Sequence, residues 1–252
     1  MKLHTLNYTD ESFASNRLYI MQHPDRSATV VDPASAPEAL DFLDQHDLNL
    51  AAIVITHHHG DHTAGIPELL AEYPDCPVIT GKGVERNVKK ATHILQDNDT
   101  ITVGDIQLRA ISTPGHTLAH YAFLTDTGVL FSGDTLFRLG CGRLFEGSPD
   151  MLWTSLLRIR ALPDTTIICC GHDYAVDNAR FSLQFMPNDA ALTEAVQELV
   201  SLDPNARLPY LLGEDKHANL FLRADEPEVM AAARCTSSRD TLAALRRMRD
   251  NL

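Results

Sequence analysis

Apolar positions in the first two thirds of the chain come in short runs. Residues 17–21, 28–31, 52–55, 77–80, 106–111, 121–124, 129–131 and 166–170 are rich in β-branched, aromatic or other apolar residues. Turn formers separate them, among them Asp32-Pro33, Pro74-Asp75, Thr113-Pro114-Gly115 and Asp126-Thr127-Gly128. Short apolar runs closed in this way predict strands. Residues 36–46, 63–71 and 149–161 instead carry apolar side chains at helical spacing. Beyond residue 171 the pattern changes. Residues 176–186, 189–202, 226–235 and 240–249 repeat at helical spacing with good helix formers, and strand patterns nearly vanish. The expectation is an α+β domain over 1–171 followed by a smaller, mainly helical domain over 172–252, which a chain of 252 residues accommodates.

Composition adds exclusions. No apolar run approaches the roughly 20 residues that span a bilayer, and Met1-Lys2-Leu3-His4-Thr5 lacks the continuous apolar stretch of a secretion signal. A cytoplasmic protein without a membrane partner is expected. A net charge of −13 argues against nucleic acid, which needs a basic surface. An anionic substrate then requires a local positive patch. The five cysteines are odd in number and form no C-x-x-C pair, which fits neither a disulfide framework nor a cysteine zinc site.

Histidine is the unusual residue: there are 12, and several cluster. The run 52–55 leads directly into Thr56-His57-His58-His59-Gly60-Asp61-His62. A buried strand delivering its chain to a loop is where α/β proteins place their chemistry. Imidazole and carboxylate suit zinc or iron. His57 and His59, two apart, face the same way in an extended segment, and Asp61 and His62 follow the turn. One loop can thus serve two adjacent ions, with His58 pointing away.

This motif resembles the signature of the metallo-β-lactamase superfamily. The resemblance implies a four-layer αββα sandwich and three further ligands, and each has a match at a strand end. Thr113-Pro114-Gly115-His116-Thr117 presents His116, Phe131-Ser132-Gly133-Asp134-Thr135 presents Asp134, and Cys169-Cys170-Gly171-His172 presents His172. The implied assignment is His57, His59 and His116 on one ion, Asp61, His62 and His172 on the other, and Asp134 between them. Asp61 and Asp134 also orient the solvent nucleophile. Zinc is the first expectation for the two divalent ions, with iron or manganese as alternatives. His4, His23, His46, His93, His120 and His217 are read as structural or surface residues, with His120 a candidate partner of a metal ligand.

Two ions about 3.5–4 Å apart hold a hydroxide at neutral pH and polarise a carbonyl. That fixes the reaction type but not the substrate. A thioester suits the site because thiols ionise near pH ~8.5 and leave with little acid help. The stretch from Gly133-Asp134-Thr135-Leu136-Phe137 through Gly140-Cys141-Gly142-Arg143-Leu144-Phe145-Glu146-Gly147 is similar to the glyoxalase II family. So is Leu212-Gly213-Glu214-Asp215-Lys216-His217-Ala218-Asn219-Leu220-Phe221-Leu222-Arg223. The resemblance covers nearly the whole chain. It implies hydrolysis of S-D-lactoylglutathione to glutathione and D-lactate, with the glutathione moiety held by Arg143, Phe145, Tyr174, Arg246 and Arg249. Residues 231–252 hold five Arg against two Asp, a local positive excess in an acidic chain. Guanidinium pairs well with carboxylate. Taken singly, a solvated surface charge is the lesser alternative for each arginine, and a core or interface tyrosine for Tyr174.

Three positions depart from the family pattern: Ala119 in place of glycine, Asp173 in place of glutamate and Arg249 in place of lysine. Two rival readings remain open on sequence. An iron-dependent persulfide dioxygenase shares much of the Gly-Cys-Gly-Arg stretch and the His172-Asp173-Tyr174 triplet, but not the long helical end with Arg246 and Arg249. A non-catalytic metal-binding scaffold would be expected to lack a ligand, and all seven are present.

Overall fold

The computed structural model describes residues 1–251, which condense into two compact units. The first comprises Met1–Ser112 and Ala119–Gly133. It contains strands β1 (Lys2–Asn7), β2 (Arg17–Gln22), β3 (Ser27–Val31), β4 (Asn49–Ile55), β5 (Val78–Gly81), β6 (His93–Leu95), β7 (Thr100–Val103), β8 (Ile106–Ser112), β9 (Tyr121–Thr125) and β10 (Val129–Gly133). Helices α1 (Pro37–Gln45), α2 (Gly60–Thr63) and α3 (Ile66–Glu72) lie in the same unit.

One sheet runs β1-β2-β3-β4-β5-β6. Its first three strands pair antiparallel and the rest parallel. The parallel part explains the unbroken apolar run before the histidine loop: Ala52, Ile53, Val54 and Ile55 are all fully buried, so no residue of the run faces water. Strands β7-β8-β9-β10 pair antiparallel. The ring of Tyr19 on β2 meets that of Phe131 on β10 at 5.9 Å, joining the two sets of strands through a common apolar core. Burial of a side chain such as Ile20, Ile53, Phe123 or Phe131 stabilises by about 1.5–3 kcal/mol each.

The sequence pattern missed β1 because its positions are only half-buried between exposed ends and carry no apolar run. The single helix expected over 63–71 is two pieces, α2 and α3. The break falls at Gly65, where a Cβ would collide with the backbone of Ser35, and Pro67 starts the second piece.

The second unit comprises Thr113–Leu118 and the chain from Asp134 onward. It holds a short hairpin of β11 (Leu136–Phe137) and β12 (Gly140–Cys141), and an antiparallel pair of β13 (Ile167–Cys170) with β14 (Tyr210–Leu211). Around them are α4 (Pro149–Arg160), α5 (Ala175–Phe185), α6 (Ala190–Ser201), α7 (Leu212–Ala218), α8 (Pro227–Ala232) and α9 (Ser238–Asp250). Local sequence sets where several begin. Ser148, Asp189 and Ser237 each accept a backbone N–H of the following turn, and Pro149 occupies a first-turn position of α4. Leu139, Ala175, Ala179, Leu192, Leu199 and Ala218 form one apolar cluster, so the hairpin tip shares its core with α5, α6 and α7.

Candidate metal centre

The histidine loop is built on the ends of two neighbouring strands. Asp32 follows β3 with φ +50°, a left-handed conformation that turns its carboxylate towards the end of β4. There it accepts the Thr56 N–H (2.8 Å) and the Thr56 hydroxyl (2.6 Å). The same carboxylate lies 3.0 Å from Nδ1 of His62. A carboxylate only accepts, so His62 carries its proton on Nδ1 and keeps the lone pair of Nε2 for a ligand. The Thr56 hydroxyl, having given its hydrogen to Asp32, accepts from Nδ1 of His57 at 3.1 Å. That leaves Nε2 of His57 as an acceptor, 3.1 Å from Nδ1 of His59. His120 stacks on His57, with ring centroids 4.8 Å apart. The α2 turn is fixed by Asn16, whose amide donates to the Asp61 carbonyl at 2.7 Å, and by the Thr63 hydroxyl, which donates to the His59 carbonyl. Ligand atoms of Asp32, His57 and His62 lie within 4.8 Å of one another.

In the second unit, His116, Asp134 and His172 converge. Nε2 of His116 and Nε2 of His172 point at the same carboxylate oxygen of Asp134, at 3.5 and 3.3 Å. All three residues are buried. The Arg143 carbonyl takes Nδ1–H of His116 at 2.7 Å and so directs Nε2 inwards, as Asp32 does for His62. The turn carrying His116 is tied down by the Phe145 and Gly147 amides, the Glu146 carboxylate and the Ser155 hydroxyl. Tyr174 lies flat on His172, with ring centroids 5.0 Å apart and planes at 11°. The donor set of imidazoles and carboxylates, with second nitrogens of His57, His62 and His116 engaged by fixed acceptors, fits a divalent cation. The His and Asp side chains group as a divalent-metal site.

The remaining expected residues also gather in the second unit. Arg143 is half-exposed, donates through Nε to Asp250 (3.0 Å) and lies over the Phe145 ring. Phe145 is 62% exposed and meets His116 edge-on at 5.2 Å. Arg246 is buried. It donates to the Cys141 carbonyl at 2.7 Å and, through Nε and Nη2, to Asp250 at 3.1 and 2.8 Å. Nε of Arg249 donates to Asn178 at 3.2 Å. Burial, and then the positive charges of Arg246 and Arg143, hold the Arg249 guanidinium below its usual value. Three guanidiniums therefore share one small region. Asp250 alone pairs with two of them, a counter-charge the sequence pattern did not single out.

Asp32 is the main residue that sequence reasoning missed. Its signal was present, since it too stands at the end of an apolar strand and precedes a proline. The buried Asp215, Asn219 and Asn178 were also missed. Burial pushes the Asp215 carboxyl up to about 6, against the pull of Asn219, the Leu139 amide and Arg138.

A model of the metallo-beta-lactamase superfamily matches residues 16–172, and one of the hydroxyacylglutathione hydrolase C-terminus matches residues 173–252. The chain is 42% identical over 218 residues to a hydroxyacylglutathione hydrolase of Rhodopseudomonas palustris, with 85% of each covered. It is 39% identical over 247 residues to one of Xanthomonas axonopodis pv. citri, covering 95% of this chain and 96% of that one. Among solved structures, ETHE1 from Myxococcus xanthus superposes with a TM-score of 0.67 at 24% identity, covering 97% of this chain and 90% of that one. The BLEG-1 B3 metallo-beta-lactamase gives 0.66 at 23% identity, covering 88% and 99%. These two likenesses speak for the fold.

Proposed function

The chain belongs to the hydroxyacylglutathione hydrolases of the metallo-beta-lactamase superfamily, and on that premise we propose that it hydrolyses S-D-lactoylglutathione and related 2-hydroxyacyl thioesters to glutathione and the free acid, in methylglyoxal detoxification. The observation that carries the glutathione part of this reading is the cluster of Arg143, Arg246 and Arg249 in a chain of net charge −13. Neither a dioxygenase nor a metal-binding scaffold is favoured by relatives at this identity.

In this reading His57, His59 and His116 would hold one ion and Asp61, His62 and His172 the second, with Asp134 as a ligand that both would share. Zinc is the first choice, with iron or manganese as alternatives. When bound, such a pair supplies a water of lowered pKa and a Lewis acid for the thioester carbonyl. Asp32 and the Arg143 carbonyl hold His62 and His116 in the ligating tautomer. Asp61 and Asp134 accept hydrogens from the attacking water and orient it. Glutathione departs as thiolate, so no protonated side chain is required at sulfur. Arg143, Arg246 and Arg249 take the glutathione carboxylates, while Phe145 and Tyr174 form apolar walls. Residues 1–171 act as the catalytic domain and 172–252 as the substrate-binding domain, with support from the spans of the two family models.

The protein acts in the cytoplasm on a small molecule, without nucleic acid or membrane as partner. Among the described residues no helix is long and apolar enough to cross a membrane.

Comparison of S-D-lactoylglutathione with S-D-lactoylcysteamine, which keeps the thioester and lacks both carboxylates, tests the substrate assignment. The expected loss in kcat/KM on truncation is at least about 100-fold, since remote binding energy is used at the reacting centre. Equal rates for the two thioesters would remove the arginine cluster from the substrate site.

A further inference from the structure

The hairpin that follows Asp134, in which Phe137 pairs with Gly140, is also held from outside. Asn219, at the C-cap of α7, donates through Nδ2 to the Phe137 carbonyl at 3.3 Å and to the Gly140 carbonyl at 3.0 Å. Asp215, within α7, accepts the Leu139 N–H with both carboxylate oxygens, at 3.0 and 3.2 Å. Asn178 on α5 donates to the Arg138 carbonyl at 3.1 Å. Polar backbone groups of residues 137–140 are thus engaged one after another by side chains from two helices. Asn219 and Asp215 also bond each other at 2.8 Å, and both are buried.

Two observations show that the turn needs such a hold. Leu139 has φ +56°, a left-handed conformation that is unfavourable for a residue with a Cβ. Its N–H and the neighbouring carbonyls are also removed from water, where an unmet group is costly. The hairpin in turn backs directly onto Asp134. The Gly142 N–H donates to the Thr135 carbonyl at 3.3 Å, and a Cβ at Gly142 would run into the Asp134 carbonyl oxygen. The backbone of Asp134 therefore rests on the returning strand of a hairpin whose shape is fixed by α7.

We propose that Asn219 and Asp215 are positioning residues for Asp134: they clamp the 137–140 turn, and through it hold the carboxylate at the place where His116 and His172 converge on it. The inference rests on reading Asp134 as a metal ligand. It extends that reading by making metal retention depend on an amide and a carboxylate some 80 residues further along the chain, neither of which touches metal or substrate.

The test uses holoenzyme of the wild type, Asn219→Ala and Leu212→Ala. Leu212 is fully buried at the first position of α7, so truncating it costs stability at the helix end away from Asn219. Three quantities are read: the rate of metal release to a chelator, hydrogen–deuterium exchange of the peptide 134–145, and kcat and KM separately. Asn219→Ala is expected to release metal at least about 10-fold faster, in the range seen when an outer partner of a metal ligand is lost. Its 134–145 peptide should exchange faster, with kcat falling more than KM rises. Leu212→Ala, at an equal or larger loss of unfolding midpoint, should hold its metal and protect that peptide as the wild type does. Should Asn219→Ala not fold, Asn219→Ser retains a short donor and is expected to show the same changes on a smaller scale. Wild-type metal retention in the Asn219 variant, or equal loss in Leu212→Ala, overturns the clamp while leaving Asp134 as a ligand. A wild type that takes up no metal sinks the reading of Asp134 and the clamp with it.

Discussion

The loop after β4 and the segment after β10 both lead from a buried strand into chemistry, yet they are fixed in opposite ways. Residues 56–62 are held from close by. Asp32, at the end of the adjacent parallel strand, binds Thr56 and His62, and Thr56 in turn orients His57. Residues 134–143 are held from afar in sequence. Asn178, Asp215, Asn219, Arg246 and Asp250 reach them from three helices, α5, α7 and α9. A parallel sheet brings strand ends together by its own hydrogen bonding, so one neighbouring carboxylate holds the start of the first loop, with Asn16 and Thr63 fixing the turn that follows. The short hairpin has no sheet around it and relies on side chains for the backbone partners a sheet would have supplied.

The largest effect is expected where the second region delivers its carboxylate. Asp134→Ala should lower metal content and turnover together, by more than about 100-fold in kcat, measured by metal analysis and steady-state kinetics on one sample. Retained metal with full turnover would remove Asp134 from the site. The first region is probed next, through Asp32→Ala. Loss of the carboxylate that sets the His62 tautomer should weaken metal binding by about 10–100-fold in a competitive chelator titration. If metal affinity did not change, the local hold on the histidine loop would be decorative.

A smaller effect is expected from Arg249→Ala: a KM for S-D-lactoylglutathione raised about 10-fold with kcat nearly constant, because the contact is remote from bond cleavage. A fall in kcat at constant KM would place Arg249 with the hairpin scaffold instead. The smallest concerns an outer tie of that scaffold, the bidentate pair of Arg160 on α4 with Asp225, at 2.7 Å on both arms. Hydrogen bonding from Arg160 holds the Asp225 carboxyl below its ordinary value of 3.8. A depressed folded value means stability that is present above the ordinary carboxylate range and is lost as pH falls through the lower folded value. Wild type should therefore exceed Asp225→Asn by about 1 kcal/mol in urea unfolding at pH 7, a margin that closes as the solution is acidified through that range. A margin independent of pH would assign the effect to packing.

The same contrast governs how much could be read from the sequence. His57, His59, Asp61 and His62 stood out as candidates because metal chemistry concentrates particular residue types at short spacing after an apolar run. His116, Asp134 and His172 were legible as single residues at strand ends, once the first motif set an expectation for them. Asp32 was hidden despite an identical placement, since a lone Asp before Pro also reads as a turn. The hairpin clamp left no pattern. Asn219 and its partners Phe137 and Gly140 are about 80 residues apart, and neither Asn nor Asp on a helix announces what it binds. Arg246 shows the same limit from another side. Spacing places it on the last helix, but only the structure shows its guanidinium buried against the Cys141 carbonyl and Asp250 rather than in solvent. Likewise β1 escaped notice because a half-buried edge strand lacks the apolar run that marks β4.

The most direct measurement is anaerobic hydrolysis of S-D-lactoylglutathione by the purified protein, following loss of the thioester with metal content determined on the same sample. Rapid turnover that a chelator abolishes, in a sample holding about two ions per chain, is the predicted result, and with oxygen absent it cannot arise from dioxygenation. No turnover in a fully metallated sample would contradict the assignment of the substrate.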